Sequence, residues 1–600
     1  MRAIHQNVDG LDISLETYSN GTHVISSDSA YVAPEVRLFD WLEEWAEKRP
    51  QKTFLLERSN QVDMKWRGIT YRELLQRAKS VAAAIAEMGL GPDRPILILS
   101  GNSIEHQTLA FAAMMAGVPY APVSVAYSTV EDALPKLRFV IDLLDPGLVY
   151  AADGMAFGRA MSIDEMSGRI IVLGQNAEAI RGAVKFSTLE AGGSVSALKA
   201  RQASLNADAV VKFIFTSGTT GAPKAVQITH RMMCSDIDAI ARCVPAFSRD
   251  PVTAIDWLPW SHVYGGSFGV NSVLHSGGSL YIDDGRPLPA EYFRTIENLA
   301  NISPTVFWNV PKAFEYLAKA LTENPSLQSS FFSKLRVMLY GAASLPSNIL
   351  QSMQELAQSQ SGRIIPMLPA WGLTETSTIA TVATQLPHVV GAVGIPIPGI
   401  TLKLVPSGDK YETRIKGPIV TRGYWKAPEA TNAAFDDEGY FRTGDALRLL
   451  DPQNPALGLV FEGRVAEDFK LLSGTWVNVK EVRERALSRF GSLVSDVVVA
   501  GPDRDDLSLL LFPPTKVDSL APDYTGQIRS VLSTINANVT GSSRVIARAV
   551  IVQEPPLVEA GEVTEKGSLN SRLILQRRKA FIDAVYQGEY PAVILPQAEA

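Results

Sequence analysis

The sequence predicts an α/β chain in two parts. A large N-terminal domain of stacked, mostly parallel sheets with helices and a small β region is followed by a smaller α+β C-terminal domain. Two observations carry this. Short apolar runs of strand length alternate with segments of helical spacing over most of the chain. After Gly463 the texture changes to a charged helix, Val479 to Arg489, with strands near Val497 to Ala500 and Leu507 to Phe512.

The elements follow in order. Leu38 to Ala46 and Thr70 to Met88 carry apolar residues at helical spacing, Ile96 to Leu99 reads as a strand, and Asn102 to Ala116 as a helix. Further strands are expected at Gly147 to Ala151, Ile170 to Leu173, Val211 to Thr216, Val252 to Trp257, Ser279 to Ile282, Thr305 to Asn309 and Arg336 to Tyr340. Gly391 to Asp445 is rich in Gly and Pro, with a short strand at Thr401 to Val405 and a turn at Pro406-Ser407-Gly408-Asp409. The domains are therefore drawn at 1–463, with its β-rich part at about 391–463, and at 464–600. The tail after Tyr590 reads as a loose end.

Composition narrows the function. Of the 600 residues, 46% are apolar and 20% charged, the balance of a globular protein. A net charge of -7 argues against the basic surface that nucleic acid or an anionic membrane requires. Cys234 and Cys243 have no CxxC partner or His cluster, so zinc is not expected, and such sparse Cys usage fits a reducing, cytoplasmic setting. Met1 to Gly10 holds no apolar secretory stretch. Thr108 to Tyr127 carries no charge and approaches spanning length, but Gly117, Pro119 and Pro122 break it. It reads as a buried helix to Ala116 turning into a strand around Tyr120 to Val125, not as a membrane span.

The chemistry starts at Phe215-Thr216-Ser217-Gly218-Thr219-Thr220-Gly221-Ala222-Pro223-Lys224. An apolar strand runs into hydroxyls, two glycines and a lysine. Glycines admit backbone N–H groups close to an anion, hydroxyls add donors, and Lys224 adds charge. This is a phosphate-holding loop without Walker A spacing.

The loop resembles that of the acyl-adenylate-forming superfamily of acyl-CoA synthetases, luciferases and peptide-synthetase adenylation domains. Later segments follow in the same order: Trp371-Gly372-Leu373-Thr374-Glu375-Thr376, Tyr440-Phe441-Arg442-Thr443-Gly444-Asp445, and Gly463-Arg464. The resemblance implies ATP, Mg²⁺ and coenzyme A as reactants and cofactor. It also implies Thr216 to Gly221 and Lys224 as phosphate contacts, Thr374 on phosphate and Glu375 on Mg²⁺. Trp371 would stack on adenine or serve as an ordinary core aromatic. Asp445 would accept the ribose hydroxyls and Arg464 would contact ribose or phosphate. Lys566, in Thr564-Glu565-Lys566-Gly567, would bridge carboxylate and α-phosphate, although Glu565 and Leu569 replace the usual Gly and Arg there. A lysine on a loop is otherwise simply solvated.

His262, in Trp257 to Gly266, would shape and gate the acid pocket or sit as a satisfied core histidine. The resemblance also implies a mobile C-terminal domain that rotates between half-reactions. Ala466 stands where many relatives carry Asp or Lys, and the loop to Gly474 is one residue longer than usual, which leaves the pivot unassigned; Lys470 would reach the site in the thioester-forming arrangement.

Within the superfamily, Trp257 to Gly266, Tyr281 to Gly285, Asn309 to Lys312, Gly463 to Leu471 and Lys566 to Asn570 resemble the feruloyl-CoA synthetase branch. That implies an aromatic acid, ferulate or a related hydroxycinnamate, in an apolar slot lined by His262, Val263, Tyr264, Trp308, Gly341, Ala342, Ala343 and Pro369. Medium- or long-chain fatty acids, loading of a separate carrier protein, and a non-catalytic nucleotide binder stay open. Homodimerisation is left open as well.

Overall fold

The computed structural model describes residues 2–6, 11–27, 30–58, 65–217, 223–288, 290–386, 389–465, 467–473, 475–514, 523–537, 539, 541, 543–557, 560–563, 569–590 and 592–596. The chain divides into two compact units. The first comprises 1–405, 413–443 and 449–460; the second comprises 406–412, 444–448 and 461–600.

The first unit is mixed α/β, as the alternation of elements predicts. One sheet has the order Val184–Lys185, Ile170–Gln175, Leu148–Asp153, Ile96–Ile98, Tyr120–Pro122, Val210–Ser217, Pro223–Thr229. Its pairs are parallel as far as Val210–Ser217, which then turns back antiparallel. A second sheet orders Thr253–Asp256, Ser279–Ile282, Thr53–Arg58, Trp66–Thr70. The largest sheet has twelve strands. It contains the parallel set Val306–Asn309, Val337–Tyr340, Met367–Trp371, continues through Thr381–Val382 and Ala392–Pro396, and takes in the strands of the Gly- and Pro-rich stretch. That stretch is thus part of a larger sheet and not a separate small one. The same sheet ends in a meander, Arg2–Gln6, Asp12–Thr17 and His23–Ser27, that the sequence reading assigned to no element. Its signal is the alternation that buries Ile13 and Leu15 between exposed or half-buried neighbours.

The helices obey local chemistry. Tyr71–Glu87 opens on a reciprocal capping box: the Glu73 N–H donates to Thr70 Oγ1, and the Thr70 N–H returns to Glu73 Oε2. Ile104–Ala116 is buried on every face and stops at Gly117, whose φ of 67° closes the helix left-handedly. The chain then enters the strand Tyr120–Pro122. No described helix is long and apolar enough to cross a membrane.

The second unit carries a four-stranded sheet, Asp496–Ala500, Leu507–Phe512, Ile546–Ile551, Val593–Ile594. Strand alternation sends Val497, Val499, Leu509 and Leu511 to a core shared with helices Val479–Phe490 and Tyr524–Asn536. It sends Val498, Leu510 and Phe512 to a core shared with Ser571–Arg577 and Lys579–Gln587. Glu562 is fully buried, and its carboxylate takes the Arg578 guanidinium at 2.7 Å, which holds its pKa below the usual range. The N–H of Leu557 adds a further bond.

Breaking a buried pair from one side leaves the other charge uncompensated. Glu562→Gln should lower the stability of the second unit by about 3 kcal/mol, read as an earlier melting transition. An unchanged transition would show that the pair contributes nothing net.

Candidate functional site

Most of the predicted site residues of the first unit sit at or just beyond strand ends. In parallel α/β sheets the carboxyl ends of the strands are where ligands gather. Gly341 to Ala343 follow Val337–Tyr340, Gly372 to Glu375 follow Met367–Trp371, and Trp257 to Gly266 follow Thr253–Asp256.

The hairpin of Val210–Ser217 and Pro223–Thr229 sets Thr216 directly opposite Lys224. Cross-strand partners share a face, so hydroxyl and ammonium flank the same side of the turn. The other face, Phe213 and Ala225, is buried in the apolar core. Gly218, Thr219, Thr220 and Gly221 lie outside the described residues, as does the side chain of Ser217.

Lys224 Nζ stands 4.8 Å from the centroid of the Tyr424 ring. The Tyr424 hydroxyl donates to Glu375 Oε1 at 2.9 Å, and the Thr421 N–H donates to the Glu375 carbonyl at 2.8 Å. Burial, with the Glu375 carboxylate beside it, raises the Tyr424 pKa, so the phenol stays a donor. Tyr424 is held in place by the bridge Val226↔Tyr424 and by the Trp425 N–H on the Ala225 carbonyl. The sequence reading missed Tyr424. Nothing in Gly423-Tyr424-Trp425 marks it out locally, because its partner lies 49 positions away.

Glu375 sits in the short turn Thr374–Thr376, which Leu373 secures by its N–H to Thr376 Oγ1 at 2.8 Å. Ser377 follows with φ of 61°, a strained left-handed value for a residue with a Cβ. A half-buried carboxylate of this kind is the hard oxygen donor that Mg²⁺ takes. Among the described residues there is no cluster of three or more metal-ligating side chains. The donor set fits an ion that completes its shell with phosphate oxygens and water. Trp371 closes its strand and is 8% exposed.

Of the residues expected to line an acid pocket, Tyr264, Trp308 and Gly341 are brought together. Tyr264 and Phe268 stack at 5.6 Å within the π-helical turn Tyr264–Gly269, and Phe268 meets Trp308 edge to face at 5.5 Å. A Cβ added to Gly341 would lie 3.9 Å from the Tyr264 ring, so the ring borders that glycine. Ala342 adopts φ of 71°, the second strained position of the site. His262 is half-buried; its N–H donates to the Pro259 carbonyl, and its own carbonyl accepts from the Gly266 N–H. Val263 is buried, its carbonyl accepting from Thr378 Oγ1, and Pro369 pairs with Tyr340.

Asp256 was missed as well. It is fully buried, accepts from the Trp308 indole at 3.0 Å and from the Leu258 N–H at 2.9 Å, and so fixes the Trp308 ring. Burial pushes its pKa up to about 8.

The second unit, taken by itself, holds Asp445, Arg464 and Lys470. Asp445 is buried on Phe441–Leu449 with Arg464 Nε 3.4 Å from its Oδ1. Lys470, exposed, lies 5.0 Å over the Trp476 ring. Gly474 and Lys566 lie outside the described residues. Their neighbours on either side of the latter, Val563 and Leu569, form an antiparallel bridge.

A carboxyl whose folded pKa is raised stabilises fully below its unfolded value near 4 and loses that contribution as pH climbs through about 8. Asp256→Asn should therefore gain melting temperature relative to the natural protein between pH 5 and pH 8. A difference that stays constant with pH would contradict the buried, protonated state.

Residues 42–425 match the family described as AMP-binding enzyme, and residues 470–590 match the AMP-binding enzyme C-terminal domain. The chain is 24% identical over 588 residues to the long-chain-fatty-acid–CoA ligase FadD15 of Mycobacterium bovis, covering 88% of this chain and 94% of that protein. It is 26% identical over 453 residues to a Rhodococcus jostii CoA ligase named for a propanoyl group bearing a methyl-dioxo-octahydroindenyl ring system, covering 72% of this chain and 81% of that one. The crystal structure of ATP-bound MatB from Rhodopseudomonas palustris shares the fold, with a TM-score of 0.71 at 22% identity over 91% of this chain and 100% of that chain. The chain belongs to the family of AMP-binding enzymes.

Proposed function

We propose that the protein is an AMP-forming acid–CoA ligase whose acid is aromatic, ferulate or a related hydroxycinnamate. The observation that carries the aromatic reading is the buried layer of Tyr264, Phe268 and Trp308 beside Gly341. A flat acid slides along such a layer with its ring against the ring faces. A long flexible chain needs a tunnel past it.

In the first half-reaction a carboxylate oxygen attacks the α-phosphorus and pyrophosphate leaves; in the second the CoA sulfur attacks the acyl carbon and AMP leaves. Two anions must meet in the first, so fixed donors and cations determine the barrier. Thr216 and Lys224 take the phosphates from opposite strands of the hairpin, with the loop Ser217 to Gly221 between them. Thr374 adds a hydroxyl. Glu375 would hold Mg²⁺, which would supply charge neutralisation at the phosphates. Tyr424 keeps the Glu375 carboxylate oriented while its ring seats the Lys224 ammonium. Trp371 covers adenine, Asp445 accepts the ribose hydroxyls and Arg464 supports them. Lys566 bridges the two reacting anions, and His262 borders the acid. Lys470, with Gly474, serves the thioester step.

The reading is tested with Mg²⁺-ATP, CoA and, one at a time, ferulate, p-coumarate, benzoate, octanoate and palmitate, following pyrophosphate and identifying the product by mass. A hydroxycinnamoyl-CoA is expected. Turnover of palmitate alone would keep the ligase and discard the aromatic acid; pyrophosphate with no CoA ester would point to a carrier protein as acceptor.

Two variants test the roles. Tyr424→Phe should raise the half-saturating Mg²⁺ concentration about tenfold, the lower end of what loss of a ligand's supporting bond costs; unchanged Mg²⁺ dependence would refute its part. Lys566→Ala should cripple adenylation yet spare CoA transfer from a supplied acyl-adenylate. Equal loss in both half-reactions would contradict the bridging role.

A further inference from the structure

Lys212 is among the largest fully buried side chains of the protein, 1% exposed. It lies on Val210–Ser217, on the face that also carries Thr216 and, across the hairpin, Lys224. Its Nζ donates to the Gly266 carbonyl at 2.8 Å and sits 5.5 Å over the Tyr120 ring. The other titratable group facing it is His106, itself fully buried, pushed down to about 4 and therefore neutral. The Tyr120 phenol is pushed upward by burial and is neutral too. Among the described residues no carboxylate pairs with Lys212, and burial alone lowers its pKa to about 7.

An uncompensated buried amine is costly, and an apolar side chain would fill the same space without that cost. What the amine does instead is visible at Gly266. A Cβ there would lie 2.8 Å from Lys212 Nζ and 2.2 Å from the Trp260 carbonyl oxygen, so the glycine makes room for the approach. Gly266 belongs to the π-helical turn that stacks Tyr264 on Phe268 and presents the Tyr264 ring to Gly341. The Gly266 N–H is bonded to the His262 carbonyl, so the turn is tied on one side to its own chain and on the other to the phosphate-loop strand. π-Helical turns are frequent at functional sites.

We propose that Lys212 is a positioning residue for the acid pocket: by holding the Gly266 carbonyl it sets the turn that carries Tyr264, so that affinity for the acid follows the protonation of this one amine. The inference rests on the acid site being where the ligase reading places it. A protonated amine bonds a carbonyl more strongly than a neutral one. Raising the pH through neutrality loosens the turn and weakens acid binding, while ATP, held by other residues, is unaffected.

The test uses cinnamate, which has no phenol to titrate, in ATP–pyrophosphate exchange from pH 6 to pH 9. The KM for the acid should rise severalfold across this range while the KM for Mg²⁺-ATP stays level. Lys212→Met should raise the acid KM about tenfold, the size of one charge-assisted hydrogen bond, with kcat little changed and the pH dependence gone. Lys212→Gln, which can still donate to Gly266, should recover part of the affinity without the pH dependence. A level acid KM in the natural protein overturns the inference even if neither variant folds, and so does a variant that keeps the natural profile. Should no carboxylic acid support exchange, the ligase reading fails and the inference falls with it; exchange with a level acid KM removes the inference alone.

Discussion

The candidate site depends first on the antiparallel register that sets Thr216 across from Lys224. Slipping Pro223–Thr229 by one residue against its partner would turn Lys224 to the apolar core and bring Ala225 out. The register is held from outside the hairpin as well. Gly423, Tyr424 and Trp425 run alongside Pro223–Thr229, with the Gln227 N–H on the Gly423 carbonyl and the Trp425 N–H on the Ala225 carbonyl. Thr421 Oγ1 adds a bond to the Gln227 carbonyl at 2.7 Å. One short stretch therefore fixes the lysine's strand, supports its ammonium with a ring and orients the Glu375 carboxylate. Cation and carboxylate thus share Tyr424 as a neighbour.

Much of the plan was legible in the sequence because it is local. The strand Ser279–Ile282 has the bounds its apolar run predicts, and Leu507–Phe512 likewise. The uncharged run after Thr108 resolves into helix and strand at the glycine and prolines that interrupt it, because Gly117 takes a left-handed φ and the two prolines cannot continue a helix. The pocket candidates Tyr264, Trp308 and Gly341 come from three separate elements, and it was the family resemblance that grouped them.

What was not legible is long-range and polar. Tyr424 reaches Glu375, Asp256 reaches Trp308, and Lys212 reaches Gly266, each from a different element. None has a periodicity or a spacing, since the partner is chosen by how sheets pack and not by the neighbouring sequence. Lys212 even counts against its own strand, a charged residue in an apolar run. The N-terminal meander was missed for a different reason: its strands are short, Asp12–Thr17 and His23–Ser27 are partly exposed, and His23–Ser27 pairs with the distant Thr401–Ser407.

Three buried aspartates of the first unit share a pattern that explains why they are retained. Asp256 bonds the Leu258 N–H two residues ahead, Asp283 bonds the Gly285 N–H two residues ahead together with Thr295 and Asn298, and Asp236 bonds the Ile379 N–H. Each therefore fastens a backbone amide where the chain leaves a strand: after Thr253–Asp256, after Ser279–Ile282, and in the turns beyond Met367–Trp371. Burial raises the pKa of all three, so the fold gives up stability at each. Apolar residues would pack there at lower cost, but they have no directed bond with which to set an amide's orientation. A strand end must aim the following residues to within a fraction of an ångström if a pocket is to form, and a hydrogen-bonded polar group supplies that direction. Stability is exchanged for geometry at the same ends of the sheets where the candidate site lies.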